Sequence, residues 1–264
     1  MATARVGLTI FFIGINEEGG YRCDTKGGIR WTNVPLLSLR RCRQAIGVMG
    51  RKIFAAGGGV TGRSCETTTA YYDTSLKSPE WTRVADMNIR RTEAAGCVHK
   101  GFLYVIGGGD YKIYEENEYA HCERYNPQTN TWSMIASMSQ ARRGCSAIVF
   151  NGKIIVAGGH YNDEDKGYIT LRKVEAYDPT TDQWERLANL TIQRQKPTLV
   201  VSDGKLMAMG GYADYWDQER LSSVEEYDKE NNTWKERREM QMADGHPYIF
   251  ALPTSASIPT ELQL

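Results

Sequence analysis

An all-β chain of five four-stranded antiparallel units, closed into a five-bladed β-propeller, is what this sequence predicts, and three observations carry the prediction. The first is a period. Trp31, Trp81, Trp132, Trp184 and Trp234 succeed one another at intervals of 50, 51, 52 and 50 residues, and self-similarity at such spacing marks a repeated supersecondary unit. The second is that other landmarks keep register with the tryptophans. Twenty-six residues after each of the first four comes a glycine pair (Gly57-Gly58, Gly107-Gly108, Gly158-Gly159, Gly210-Gly211), and ten residues after each comes an arginine: Arg41, Arg91, Arg142 and Arg194. The third is the texture between landmarks, where short apolar runs are broken regularly by Gly, Asn and Asp, as in short strands.

The chain opens inside a repeat. Residues 4–15, ARVGLTIFFIGI, superimpose on the segments that end in glycine pairs elsewhere (NGKIIVAGG, KGFLYVIGG, DGKLMAMGG). They read as the second strand, b, of a unit that lacks its first, a. The unit at 40–87 is complete: RRCRQAIGVM for a, a turn at Gly50-Arg51, KIFAAGGG for b, a polar loop, TTAYYD for c and PEWTRVADM for d. Three more follow at 91–138, 142–190 and 194–240. Their a-to-b turns, Lys100-Gly101, Asn151-Gly152 and Asp203-Gly204, call for the positive φ of a tight hairpin. Strand c ends in Tyr followed by Asp or Asn, at Tyr72, Tyr125, Tyr177 and Tyr227, where the short polar side chain caps the next turn. After Met240, GHPYIFALP repeats strand a with no b behind it. Residues 245–252 are therefore expected to complete the N-terminal blade of 4–37, closing the ring and removing its exposed edges. That makes 1–253 one domain and leaves 254–264 as a flexible tail.

Bulk properties narrow the function. Lys+Arg and Asp+Glu number 32 each, so no whole-molecule field draws the chain to nucleic acid or to an anionic membrane. No stretch approaches the roughly 18 apolar residues of a spanning helix. The apolar run after Arg5 lacks a small-x-small cleavage site. Six cysteines, Cys23, Cys42, Cys65, Cys97, Cys122 and Cys145, are scattered without Cys-x-x-Cys spacing and read as free thiols. A reducing, cytoplasmic setting is expected.

The glycine pair after four apolar residues, a Tyr and a Trp with six residues between them, and the period near 50 resemble kelch repeats, from about residue 4 to 252. The Gly-His and Trp-Asp landmarks of WD40 blades do not recur. The resemblance implies propeller blades and, in its adaptor branch, substrate recognition for a ubiquitin ligase. That branch is usually six-bladed and follows BTB and BACK domains; here five repeats stand without them.

Strand direction reverses at each step of a blade, so b-to-c loops and d-to-a connectors share one face. Arg41, Arg91, Arg142 and Arg194 are expected to ring that face, with Asp244 at the fifth position. The loops DYKIYEENEYAH, HYNDEDKGYITLR and YADYWDQERLSS add Tyr111, Tyr161, Tyr212, Tyr215 and Trp216. Arginines match carboxylates with a planar fork, and the adaptor branch grips acidic peptides there, so an acidic peptide or protein is the expected partner of a monomeric, non-catalytic module. The competing reading is that these arginines pair with neighbouring carboxylates and hold the connectors. Enzyme chemistry lacks a foothold: His99, His121, His160 and His246 form no convergent set, and neither a phosphate loop nor a nucleophile elbow occurs. No catalytic residue, metal or cofactor is expected. The alternatives are a sugar-binding or sugar-modifying kelch enzyme and an actin-binding protein.

Overall fold

The computed structural model describes residues 2–6, 9–13, 20–24, 30–35, 42–59, 65–112, 115–215 and 220–237. Every regular element among them is a strand. The chain divides into two units, Met1–Arg143 and Gly144–Leu264.

In the first unit, β1 (Ala2–Val6), β2 (Thr9–Ile13), β3 (Gly20–Asp24) and β4 (Arg30–Val34) form one antiparallel sheet in chain order. A second comprises β5 (Ala45–Met49), β6 (Lys52–Ala56), β7 (Thr69–Asp73) and β8 (Trp81–Val84). In the third, β9 (Ala95–His99) and β10 (Phe102–Ile106) are separated in sequence from β13 (Cys122–Asn126) and β14 (Thr131–Ile135) by a hairpin of its own, β11 (Gly109–Lys112) and β12 (Glu115–Glu118). The second unit repeats the plan. β15 (Ser146–Phe150), β16 (Lys153–Ala157), β19 (Val174–Asp178) and β20 (Gln183–Leu187) form a sheet, interrupted by the hairpin β17 (His160–Asp163) and β18 (Gly167–Thr170). The last sheet is β21 (Thr198–Ser202), β22 (Lys205–Met209), β23 (Val224–Asp228) and β24 (Thr233–Glu236).

The N-terminal sheet corrects one expectation. Its first strand is β1, paired residue for residue with β2 from Ala2–Ile13 to Val6–Thr9. The stretch read as a single strand b is therefore a hairpin that supplies both a and b. The C-terminal segment expected to fill that place, 245–252, lies outside the described residues, as does the tail 254–264.

Within each unit, neighbouring sheets pack face to face because their second strands are apolar on both faces. In β6, β10 and β16 the last four residues are all buried. Phe54 and Ala56 meet Leu103, Val105 and Tyr125 of the next sheet. In the second unit Ile155, Ala157 and Ala176 meet Leu199, Leu206, Ala208 and Trp234. Each fully buried Leu or Val there contributes about 1.5–3 kcal/mol.

The Trp and Tyr landmarks do more than fill space. Trp132 Nε1 donates to the carbonyl of Ala85, at the end of the preceding sheet, at 2.9 Å. Asn130 Oδ1 accepts from Ala85 N at 2.9 Å and from the Tyr125 hydroxyl at 2.8 Å. The second unit has the same clamp: Trp234 to Ala188 O, with Asn232 Oδ1 between Ala188 N and Tyr227. These two c-to-d turns thus reach back and hold the sheet before them within the same unit.

The glycine pairs receive the connectors. Gly108 N donates to the carbonyl of Arg142 at 2.9 Å, and a Cβ on Gly108, whose φ is +85°, would lie 2.7 Å from the Thr92 carbonyl. Just beyond, one hydrogen bond closes the base of four b-to-c segments: Glu66, Tyr119, Leu171 and Leu221 donate from their N–H to the carbonyls of Gly58, Gly108, Gly159 and Gly211.

Candidate functional site

The arginines ten residues after each Trp are inside the protein. Arg91 is 1% exposed, and Arg142 and Arg194 are fully buried; Arg41 lies outside the described residues. The Arg91 guanidinium donates to the carbonyls of Gly107 and His121, both at 2.7 Å, and to Glu123 Oε1 at 2.8 Å. Glu123, with no side-chain exposure, also accepts from Asn88 N, Asn88 Nδ2 and Ile89 N. In the second unit Arg194 reaches the carbonyls of Gly210 and Ser223, the Ser223 hydroxyl and Glu225. Glu225 accepts in turn from Thr191 N and Ile192 N. Each arginine in these two copies rises from a connector and bolts it to strands b and c of the next sheet.

Three of the four arginines expected at a binding mouth are therefore buried instead, as in the competing reading in which they hold the connectors, and for a simple reason. A buried guanidinium is stable only if its donors and its charge are answered nearby, and a glutamate two residues before the strand-c tyrosine provides the answer. Glu123, Glu175 and Glu225 occupy that position, and all three are buried. Their recurrence was visible in the sequence and was not read as half of a pair. In the 40–87 unit the position is Ala70.

A second, looser ionic cluster lies in the first unit. Arg43, whose side chain is half exposed, stands 3.6 Å from Glu93, and the buried Arg143 lies 3.9 Å from Glu93 and 3.4 Å from Glu118. Tyr119 lies nearby, and burial, with the Asp110 carboxylate second, raises its phenol above the ordinary range.

The aromatic loop residues are distributed differently. Tyr111 lies in β11 opposite Glu116. Tyr161 lies in β17 opposite Ile169 and is half-buried. Tyr212, also half-buried, bridges to Gln195 and to Arg220. Tyr215 stacks on Tyr168, centroids 3.8 Å apart with planes inclined by 19°, and His160 packs on the same pair. Trp216 lies outside the described residues. Tyr168 was not singled out from the sequence and His160 only as a candidate ligand, because only the β17–β18 register brings the two onto one face.

Of the histidines, His99 ends β9, His121 gives its carbonyl to Arg91, and His160 is buried against tyrosines; His246 is outside the described residues. Among the described residues no three His, Cys, Asp or Glu side chains are grouped to hold a metal ion. Cys42, Cys65, Cys97, Cys122 and Cys145 are free thiols. Burial, with Cys122 close by, pushes the Cys97 thiol up to about 12.

Comparison with known proteins agrees with this architecture. The solved structure of YjhT superposes with a TM-score of 0.66 at 20% identity, covering 80% of this chain and 69% of that one. Kelch-like protein 23 of Homo sapiens is 29% identical over 242 residues, 87% of this chain and 40% of that protein. Kelch-like protein 36 of Bos taurus is 28% identical over 225 residues, 84% of this chain and 35% of its own length. Alpha-scruin of Limulus polyphemus is 30% identical over 174 residues, 64% of this chain and 18% of that protein. The chain thus spans at most about two fifths of the length of the two kelch-like proteins and alpha-scruin. Residues 42–247 match the KLHDC2/KLHL20/DRC7 Kelch-repeats domain, and with four-stranded sheets recurring at the spacing of the tryptophans, the chain belongs to that kelch-repeat family.

Proposed function

We propose that this chain is a non-catalytic protein-interaction module, in which the four-stranded sheets are the blades of a kelch propeller and a partner is recognised for presentation to a ubiquitin ligase. The observation that carries this reading is the division of labour between connectors and loops. The connector arginines are consumed in holding the sheets, while half-buried tyrosines stand on loops whose bases are fixed by the same hydrogen bond. Aromatic side chains on a rigid base give large contact area at low entropic cost. An acidic peptide gripped by Arg91, Arg142 and Arg194 is left out of the proposal, because buried guanidiniums have no face to offer it.

Site-specific photo-crosslinking tests the reading. A photoreactive residue in place of Tyr161 or Tyr212, in the full chain expressed in cells, is expected to capture discrete protein partners, whereas the same residue at exposed Thr82 of β8 captures none of them. Equal capture from both positions, or turnover of a sugar by the purified chain, would sink the proposal.

A further inference from the structure

The partner-binding reading leaves open what the loops of the second unit recognise, and their chemistry is opposite in sign to the one the arginines suggested. In the β17–β18 hairpin His160 pairs with Thr170 and Asn162 with Tyr168, so these four share one face of the ribbon, and Tyr161 and Ile169 share the other. On the first face Tyr168 and Tyr215 stack at 3.8 Å, both half-buried, over a His160 that is 1% exposed. Thr170, on the same face, has its hydroxyl oxygen buried and without a hydrogen-bond donor.

The turn beside the stack is acidic. Asp163 Oδ1 accepts from the N–H groups of Asp165 and Lys166, which fixes the turn. Glu164 and Asp165 are exposed, and neither has an ion-pair partner among the described residues. Lys166 is the one cation of the turn; Arg172 is bonded to the Thr191 carbonyl, and Lys173 and Lys196 lie toward the base. The unit's buried arginine, Arg194, is already neutralised by Glu225. Finally, among the described residues β17 and β18 form a sheet of only two strands, so neither has a second ladder partner there.

We propose that the Tyr168–Tyr215 stack and the neighbouring Glu164–Asp165 turn form a docking site for an arginine-bearing, extended segment of a partner protein. A guanidinium is planar, so it extends a stack of two phenol rings by cation–π and π contact while its N–H fork reaches a carboxylate. Lysine supplies the charge without the plane. A donor that penetrates to Thr170 satisfies a buried acceptor, and the open ribbon edges let an extended backbone lie alongside. The occupant follows from charge complementarity: two exposed carboxylates without ion pairs, next to aromatic faces, recruit a cation.

The inference rests on the interaction reading above, and its test is separable from it. Fluorescein-labelled peptides of alternating Arg and Ser, Lys and Ser, and Glu and Ser are titrated against the full chain by anisotropy, at low and at high salt. The Arg peptide is expected to bind best, the Lys peptide several-fold more weakly and the Glu peptide not at all, with affinity falling as salt rises. Combined Glu164→Gln and Asp165→Asn, and separately Tyr215→Leu, each weaken the Arg peptide about tenfold, the loss of one charged or stacked contact. Melting curves identify any variant that has lost its fold. Tighter binding of the Glu peptide, no binding of the Arg peptide, or Arg binding indifferent to both variants overturns the site. If crosslinks from Tyr161 persist in any of those cases, the interaction module stands and only its assigned ligand falls.

Discussion

Removing Glu123 discriminates most sharply between a structural and a binding role for the connector arginines. In Glu123→Ala the Arg91 guanidinium keeps its two carbonyl acceptors but loses its counter-ion, at a site where both side chains have no exposure. The N–H groups of Asn88 and Ile89 and the Asn88 amide lose their acceptor as well. Breaking one side of a buried pair costs about 3–5 kcal/mol, and at roughly 2–4 °C per kcal/mol for a large single domain the melting temperature should drop by roughly 6–20 °C. Glu123→Gln keeps the shape and one acceptor, so its loss should be smaller, about 1.5–3 kcal/mol. The double variant Arg91→Met with Glu123→Leu removes both charges together and should be less damaging than the sum of the singles. The assay is urea unfolding followed by tryptophan emission, with thermal scans alongside. A Glu123→Ala loss below about 1 kcal/mol, where a single surface pair would fall, refutes the reasoning. So does a variant that unfolds as the parent does but loses its partner.

Other outcomes follow from the same contacts. Gly108→Ala places a Cβ against the Thr92 carbonyl at φ +85° and should cost about 1–3 kcal/mol of strain plus the clash, whereas Gly152→Ala, at φ +78° with open space around it, should show strain alone; unfolding midpoints compare them. Trp132→Phe removes the hydrogen bond to Ala85 while keeping a ring, and a loss of about 0.5–1.5 kcal/mol is expected by the same titration. Cys97, its thiol held near 12 by burial and by Cys122, should resist iodoacetamide at pH 8 in the native chain and react once unfolded, as read by mass spectrometry. Asp228 is held below the usual carboxylate range chiefly by its bond from Lys235 and then by Asn231. Its stabilising contribution is therefore present above the ordinary carboxylate pKa and lost as pH falls below it, so Asp228→Asn should differ from the parent at pH 7 and converge with it in strong acid.

The strands were legible in the sequence because their signals are local. Asn151-Gly152 announces a hairpin by backbone sterics alone, and KIIVA announces a two-face-buried strand by its apolar run. The first strand, Ala2–Val6, was missed because the alternation of ATARV is only five residues long and rests on two small alanines, and the apolar run after it dominates the pattern. The role of Arg91 stayed open between two readings for a different reason: its counter-ion is 32 residues away in the next repeat, so residue type alone favoured a surface function. The strand-c glutamates were the available clue, since a carboxylate at a position that faces into a sheet needs a cation. The stack of Tyr168 on Tyr215 had no such clue, because it depends on the register of a hairpin inside a segment that reads as polar loop.

The hydrogen bond that closes these four b-to-c segments spans loops of different size, from seven residues at 59–65 to eleven at 160–170, with intermediate lengths at 109–118 and 212–220. Loop-closure entropy grows only as the logarithm of length, so the step from the shortest to the longest costs about 0.4 kcal/mol. Beneath that bond the pairs at Gly58, Gly108 and Gly159 take the connector carbonyls of Arg91, Arg142 and Arg194 at 2.9, 2.9 and 2.8 Å, whatever lies above. Selection can therefore lengthen, shorten or recompose a recognition loop almost independently of foldability, and an engineer could exchange these inserts as cassettes between Gly108 and Tyr119 or between Gly159 and Leu171.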